Sequence, residues 1–477
     1  MGQLFDTNAW LAMAPMIALS AGVLLLLLID VIAGASPGIL RARNPIVVAC
    51  IVAAAAFEIR ALGTTSATVL EGTLATGGTI PLWGLLILSS LLVSWIFARG
   101  YYREEEKFLI EHDCLMLSST VGMMLMAGAQ DLLVFFVGLE LLSVPLYALA
   151  SFQRSRSTSV EAGMKYFVLG AFASGIFLYG AALVYAGTGT ISLAELRAIG
   201  AGSPLALTGV ALLAGSLFFK VSVFPFHLWV PDVYQGSPTP VTALMATGTK
   251  TAGFAFLLSA SFLLPREALG IVVVIALATM AAGNLGALVQ TDLKRMLAWS
   301  GIAHAGTILL GIAGGLAGDP VRNGVESATI FYLAAYVFTA GGAFGIVAKL
   351  ESETGRPVTI ESLRGLAKER PGVAAAMAAF MLSLGGIPAT GGFLGKYLVF
   401  SVAVRAGLVA AAVVGVLLSV VALGYYLRVI VAMYMQPSAE LQPVAARKLG
   451  PSLLAATACA AVVLALGILP GWLLDRF

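Results

Sequence analysis

The sequence predicts an all-α polytopic membrane protein of about fourteen transmembrane helices, two of them discontinuous, and three observations carry that prediction. Of the 477 residues, 60% are hydrophobic and only 11% charged, with a mean hydropathy of +0.98. That is more apolar surface than a water-soluble core absorbs. Mostly apolar runs of roughly 20 residues recur along the whole chain, the length a helix needs to cross a ~30 Å hydrocarbon layer. The polar stretches between them are short: the longest, residues 349–371, reads as a loop and leaves no water-soluble domain.

The spans follow in order. The first, 10–33, has too long an apolar run for a cleavable signal, and its start carries Asp6 instead of basic residues. Spans 45–63 and 78–98 complete an opening group closed by the charged loop YYREEEKFLIEH (101–112). Then come 111–128, 130–151 with Glu140, 162–187 with Lys165, 204–235 with Lys220, Pro225 and His227, and 240–264 with Lys250. Spans 268–289, 298–317 with His304, and 326–348 lead to the polar loop. The last three are 372–404 with GGIPATGG and Lys396, 406–435 with Arg428, and 449–470.

Pro225 in the seventh span and GGIPATGG (385–392) in the twelfth should each interrupt a helix. Unwound backbone at membrane depth is tolerated where it is buried in protein or lines a wet cavity. The two broken spans are five helices apart and so cross in opposite directions, the pattern of two inverted five-helix repeats. The implied organisation is helices 1–3 over residues 1–110, a first repeat of helices 4–8 over 111–264, a second of helices 9–13 over 265–435, and helix 14 over 436–477. A proline kink serving packing alone is the plainer reading of either break. Both breaks, however, lie a few residues from a lysine.

Basic loop residues favour the cytoplasmic side. With the N-terminus outside, sixteen of the 27 basic residues fall on cytoplasmic sides, five on the opposite sides and six within helices. Both termini should therefore face away from the cytoplasm. The net charge of +3 reads as this topology signal, since no basic groove interleaved with aromatics points to nucleic acid. Cys50, Cys114 and Cys459 are scattered singly, as are His112, His227 and His304, so no spacing suits an iron–sulfur cluster, zinc or haem. LGGIPATGGFLGKYLVF (384–400) ends in Gly-Lys but lacks phosphate-loop spacing.

The six basic residues within helices sort by depth. Arg60 and Arg428 lie near helix ends and can snorkel. Lys165 has two readings, snorkelling or pairing with Glu161 one turn before it. Lys220, Lys250, Lys396 and Glu140 sit deeper, and a charge at a helix centre costs about 3 kcal/mol on insertion scales. They must pair, line a wet cavity or do work; a purely structural ion pair of Glu140 with one lysine is the bland alternative. Burial disfavours a lysine's charge and a nearby carboxylate restores it, so a buried lysine with a movable partner is a proton switch. A row of them is a proton wire.

Four stretches carry a family resemblance: STVGMMLMAGAQDLLVFFVGLELLSVPLYALASF (119–152), KVSVFPFHLWVPDVYQGSPTPVTALMATGTK (220–250), DLKRMLAWSGIAHAGTILLGI (292–312) and LSLGGIPATGGFLGKYLVF (382–400). They resemble the antiporter-like membrane subunits of proton-pumping NADH:quinone oxidoreductase, respiratory complex I, over helices 4 to 13. Pro231-Asp232-Val233-Tyr234 and Lys396 are like the bacterial subunit N branch, the counterpart of mitochondrial subunit 2. Subunits L and M and the multisubunit antiporters typically have a histidine soon after Pro-Asp, and subunit M has a glutamate at the position of Lys396. AWSGIAHAG (298–306) departs from the usual Tyr-Ser-Ser of the family but keeps the histidine.

The resemblance implies that Glu140 pairs with Lys220, that Lys250 connects, and that Lys396 exchanges protons with the far side. Lys165 matches a family lysine as well. His227 and His304 either bridge gaps in the wire or are buried histidines satisfied by backbone; His112 lies at a membrane boundary. The implied setting is the bacterial cytoplasmic (inner) membrane, beside other membrane-arm subunits of complex I that include neighbouring antiporter-like ones. Protons and water would be the cargo, with no cofactor in this chain and with FMN and iron–sulfur clusters in partner subunits. Two rivals stay open: a subunit of a standalone sodium/proton antiporter, and a scaffold subunit whose intramembrane charges are structural.

Overall fold

The computed structural model describes residues 7–33, 37–102, 109–200, 202–317, 324–437 and 450–474. Helices α1 (Thr7–Ala33) and α2 (Pro37–Ala61) lead to a small antiparallel hairpin, β1 (Ala67–Val69) and β2 (Leu74–Thr76). There follow α3 (Ile80–Tyr101), α4 (Leu109–Gly128), α5 (Leu132–Ala150), α6 (Ser157–Thr188), α7 (Leu193–Ile199), α8 (Pro204–Val221), α9 (Trp229–Gly236) and α10 (Thr239–Ser259). The chain continues with α11 (Leu269–Leu288), α12 (Leu293–Ala317), α13 (Val325–Thr354), α14 (Leu366–Glu369), α15 (Pro371–Gly385), α16 (Gly391–Arg405), α17 (Val409–Met435), α18 (Pro451–Ile468) and α19 (Gly471–Leu474).

Among the described residues, twelve helices are long and apolar enough to cross a membrane, and the chain is an all-α multi-pass membrane protein. The other two predicted spans fall on α4, whose start carries Glu111 and Asp113, and on the 15-residue halves α15 and α16. Several helices outrun their apolar runs: α6 begins at Ser157, α12 at Leu293, and α13 continues to Thr354. A helix satisfies its own backbone, so nothing obliges it to stop where the hydrocarbon does.

The chain forms two compact units. One comprises Met1–Leu92, Tyr102–Val221 and Gly248–Leu264; the other comprises Val93–Tyr101, Ser222–Thr247 and Pro265–Phe477. In the first, α4 and α5 meet backbone to backbone: a Cβ on Gly122 would stand 2.3 Å from the Leu142 nitrogen. Small residues permit this approach in a solvent where apolar side chains gain nothing by leaving lipid. Asp131 starts α5, its extended backbone aiming the carboxylate at the Leu133 and Val134 amides at 2.7 and 3.1 Å. In the second unit nearly every residue of α12 from Leu293 to Gly314 is buried, whereas α17 leaves Val413, Leu417 and Val420 exposed. Exposed aliphatic side chains on a membrane-spanning helix suit contact with lipid or with another apolar helix.

Both predicted interruptions are present. Residues 222–228 separate α8 from α9, and 386–390 separate α15 from α16. Pro225 has no N–H to donate. Gly386 adopts φ +81°, its amide donating to Ser383 O and that of Ile387 to Leu382 O, a left-handed cap that closes α15.

Candidate functional site

In the first unit, α5, α6 and α8 build a polar point inside apolar packing. Lys220, at the end of α8, is 5% exposed. Its Nζ donates to Ser143 Oγ at 2.8 Å and Tyr166 Oη at 3.4 Å, and stands 5.6 Å from the Tyr166 ring centre. Ser143 lies three residues after Glu140, on the same face of α5. Glu140 reaches Lys220 through its field and makes no ion pair with it among the described residues; its Oε1 is buried without a hydrogen-bond partner. Hydroxyls thus hold the ammonium in this state, with a carboxylate in reserve. Lys165 is on a more open face of α6, paired with Glu161 at 2.7 Å. Of its two readings, the structure displays the pair. Lys250 on α10 is 1% exposed and among the largest fully buried side chains.

In the second unit Lys396 lies in the first turns of α16. Its Nζ donates to the Leu384 and Gly385 carbonyls at 2.9 and 3.1 Å. These are end carbonyls of α15, orphaned by the break and at the negative end of that half-helix. The interruption therefore makes the lysine's binding site, and the lysine satisfies the interruption. His304 on α12 is bonded through both nitrogens, Nδ1 to Tyr332 Oη at 2.5 Å and Nε2 to Tyr426 Oη at 3.1 Å. The Tyr426 hydroxyl goes on to Ser300. Cavities of about 10 Å³ flank His304: one is shared with Tyr336 and Ser383, the other with Lys396, Thr307 and Asn284. Each has about one water's room.

Tyrosine and serine hydroxyls donate or accept as required, and an imidazole bonded at both nitrogens can pass a proton through. Tyr332, His304, Tyr426 and Ser300 thus form a continuous hydrogen-bonded chain whose histidine shares a cavity with Lys396. His227, in the break after α8, is instead held by rings, stacked at 5.5 Å on Phe224 and edge-on at 5.6 Å to Trp299. Among the described residues its Nδ1 is buried without a hydrogen-bond partner. Arg428, which the sequence places near a helix end where it can snorkel, donates through Nη1 to Leu288 O at 3.0 Å and through Nη2 to Gln290 O, and so caps α11.

A second polar cluster escaped the sequence reading. Lys294, outside the predicted span 298–317, is 5% exposed in the first turn of α12. It donates to Ser237 O at 2.8 Å and Thr239 Oγ1 at 2.9 Å, and lies 3.7 Å from the Glu351 carboxylate. Beside it, Arg295 pairs with Asp232 at 2.7 Å. Together they fasten the α9–α10 corner to α12 and α13. The available signal was Glu351 near the end of an apolar run, a buried charge that needs a partner.

Residues 129–422 match the family described as NADH:quinone oxidoreductase/Mrp antiporter, transmembrane. The NADH-quinone oxidoreductase subunit N of Myxococcus xanthus is 43% identical over 422 residues, covering 81% of this chain and 80% of that protein. Its namesake from Salinibacter ruber is 41% identical over 446 residues, covering 90% and 88%. A chain in the structure of respiratory complex I from Thermus thermophilus with bound aureothin superposes with a TM-score of 0.81 at 36% identity, covering 97% of this chain and 98% of that one. A chain of the Mrp complex from Dietzia sp. DQ12-45-1b reaches 0.81 at 24% identity over 99% and 96%, a likeness of fold.

Proposed function

The chain belongs to the NADH:quinone oxidoreductase/Mrp antiporter transmembrane family, and from that premise we propose that it is the subunit-N-type proton-translocating unit of an NADH:quinone oxidoreductase membrane arm. It couples quinone reduction in other subunits to proton movement through Glu140, Lys220, Lys250 and Lys396, with His304 as relay and Lys165 beside Tyr166 as a modulating charge. Flavin and iron–sulfur clusters belong to partner subunits, and neighbouring antiporter-like subunits share the arm. The helices of residues 111–264 and those of residues 265–435 are inverted repeats. The chain sits in a bacterial cytoplasmic membrane with both termini outside.

One observation carries the reading: Lys220, Lys250 and Lys396 are each at most 8% exposed within apolar helices, and two of them adjoin helix breaks. A structural ion pair would need a carboxylate in contact, yet Lys220 rests on hydroxyls and Lys396 on carbonyls. Hydrogen bonds to a charged group contribute about 1.5–3 kcal/mol. Exchanging Ser143 and Tyr166 for the Glu140 carboxylate therefore changes the energy of the charge by an amount of that order. Moving one charge against 100 mV requires about 2.3 kcal/mol. A switch of partners at one lysine is of the right size to gate one proton.

The test is isolation of the chain from its native membrane in mild detergent. A large assembly with flavin, iron–sulfur signals and NADH:quinone reductase activity is the expected result. A small flavin-free assembly that moves protons in response to sodium would overturn it in favour of a standalone antiporter.

A further inference from the structure

Glu58 lies near the end of α2, outside the family match over residues 129–422. It is 7% exposed, and among the described residues its carboxylate has neither a hydrogen-bond nor an ion-pair partner. The position is built for it: a Cβ on Gly84 of α3 would stand 2.3 Å from Glu58 Oε1 and 2.6 Å from Cδ, so only glycine leaves the carboxyl its place. The side chain lines a cavity of about 30 Å³ between α1, α2, α3 and α4, roofed by Ala75, Thr76 and Gly77 of the hairpin. That volume admits about two waters. Among the described residues lining it, none other than Glu58 is titratable. The hairpin is fixed over the cavity by the Leu74–Ala129 bridge and by Gln130 N donating to Thr73 O at 2.8 Å.

A lone carboxylate without partners is costly in such a place and needs a proton, a cation or water to offset its charge. A single carboxylate, the one titratable group among the described residues lining the cavity, suits a proton better than a metal ion, which requires several oxygen ligands. We propose that Glu58 and the cavity beneath the β1–β2 hairpin form a proton-binding site in the N-terminal helices, at which the carboxyl exchanges its proton with water in the cavity. None of the lysines lines this cavity.

An apolar carbodiimide tests this on the assembled complex in its membrane. The reagent reacts with the neutral acid: the carboxyl proton passes to a carbodiimide nitrogen, the carboxylate oxygen bonds to the central carbon, and the O-acylisourea rearranges to a stable N-acylurea. Nothing is oxidised or reduced, and the adduct is read by mass spectrometry of the peptide that contains Glu58. The expected results are an adduct at Glu58, none at that position in Glu58→Gln, and a several-fold lower yield in Gly84→Ala, whose Cβ displaces the carboxyl. An unmodified Glu58 would overturn the proposal. So would protection of Glu58 by sodium chloride but not by choline chloride, which would make the cavity a cation site. Pumping by the lysine row need not change in either case.

Discussion

Lys220 is poised between two hydroxyls it touches and one carboxylate it does not, and the hydroxyls are the more testable partners. Ser143→Ala removes the 2.8 Å bond and leaves Tyr166 at 3.4 Å. A hydrogen bond to a charged group is worth about 1.5–3 kcal/mol, so proton pumping should fall by about tenfold or more in reconstituted vesicles. NADH oxidation by an artificial acceptor should be unchanged; loss of both activities would point to misassembly and against a local role. Tyr426→Phe removes one of the two hydroxyls on His304 and its link to Ser300, and should slow pumping while the isosteric ring keeps the helix packing. The lysines and Glu140 were legible because a charge inside an apolar run stands out. Ser143 and Tyr166 were not, because hydroxyl residues are unremarkable in such helices and these lie 77 and 54 residues from Lys220.

At the scale of the helix, the break between α15 and α16 and the lysine that fills it are one device. Gly386 meets two requirements, φ +81° and a close approach in which a Cβ would stand 3.0 Å from Lys396 Cδ. Gly386→Ala should therefore destabilise the chain by about 1–2 kcal/mol from the left-handed backbone alone, seen as a lower thermal midpoint of the purified complex. It should also reduce pumping beyond what that loss accounts for, because Lys396 is displaced from the carbonyls; a fall in stability with normal pumping would separate the glycine from the lysine's role. Both breaks were readable from proline and glycine, residues whose backbone limits act locally. Helix ends were less so: Leu293 and Lys294 extend α12 past its apolar run because the Ser237, Thr239 and Glu351 contacts that bury Lys294 come from segments distant in sequence.

For the whole molecule, the fold class followed from composition and run length, since no other architecture hides so apolar a chain. Orientation rests on the distribution of loop arginines and lysines and has its own test. An impermeant maleimide applied to intact cells should label Ser66→Cys, in the exposed α2–α3 loop, and leave Arg154→Cys, in the exposed α5–α6 loop, unlabelled until the membrane is opened; the reverse pattern would invert the topology. The central claim is that the buried lysines carry protons, and Lys220→Ala in the intact complex addresses it most directly. NADH-driven proton uptake should collapse, and quinone reduction with it through tight coupling, while electron transfer from NADH to an artificial acceptor persists. Pumping at the wild-type rate in that variant would contradict the account and leave Lys220 a structural charge.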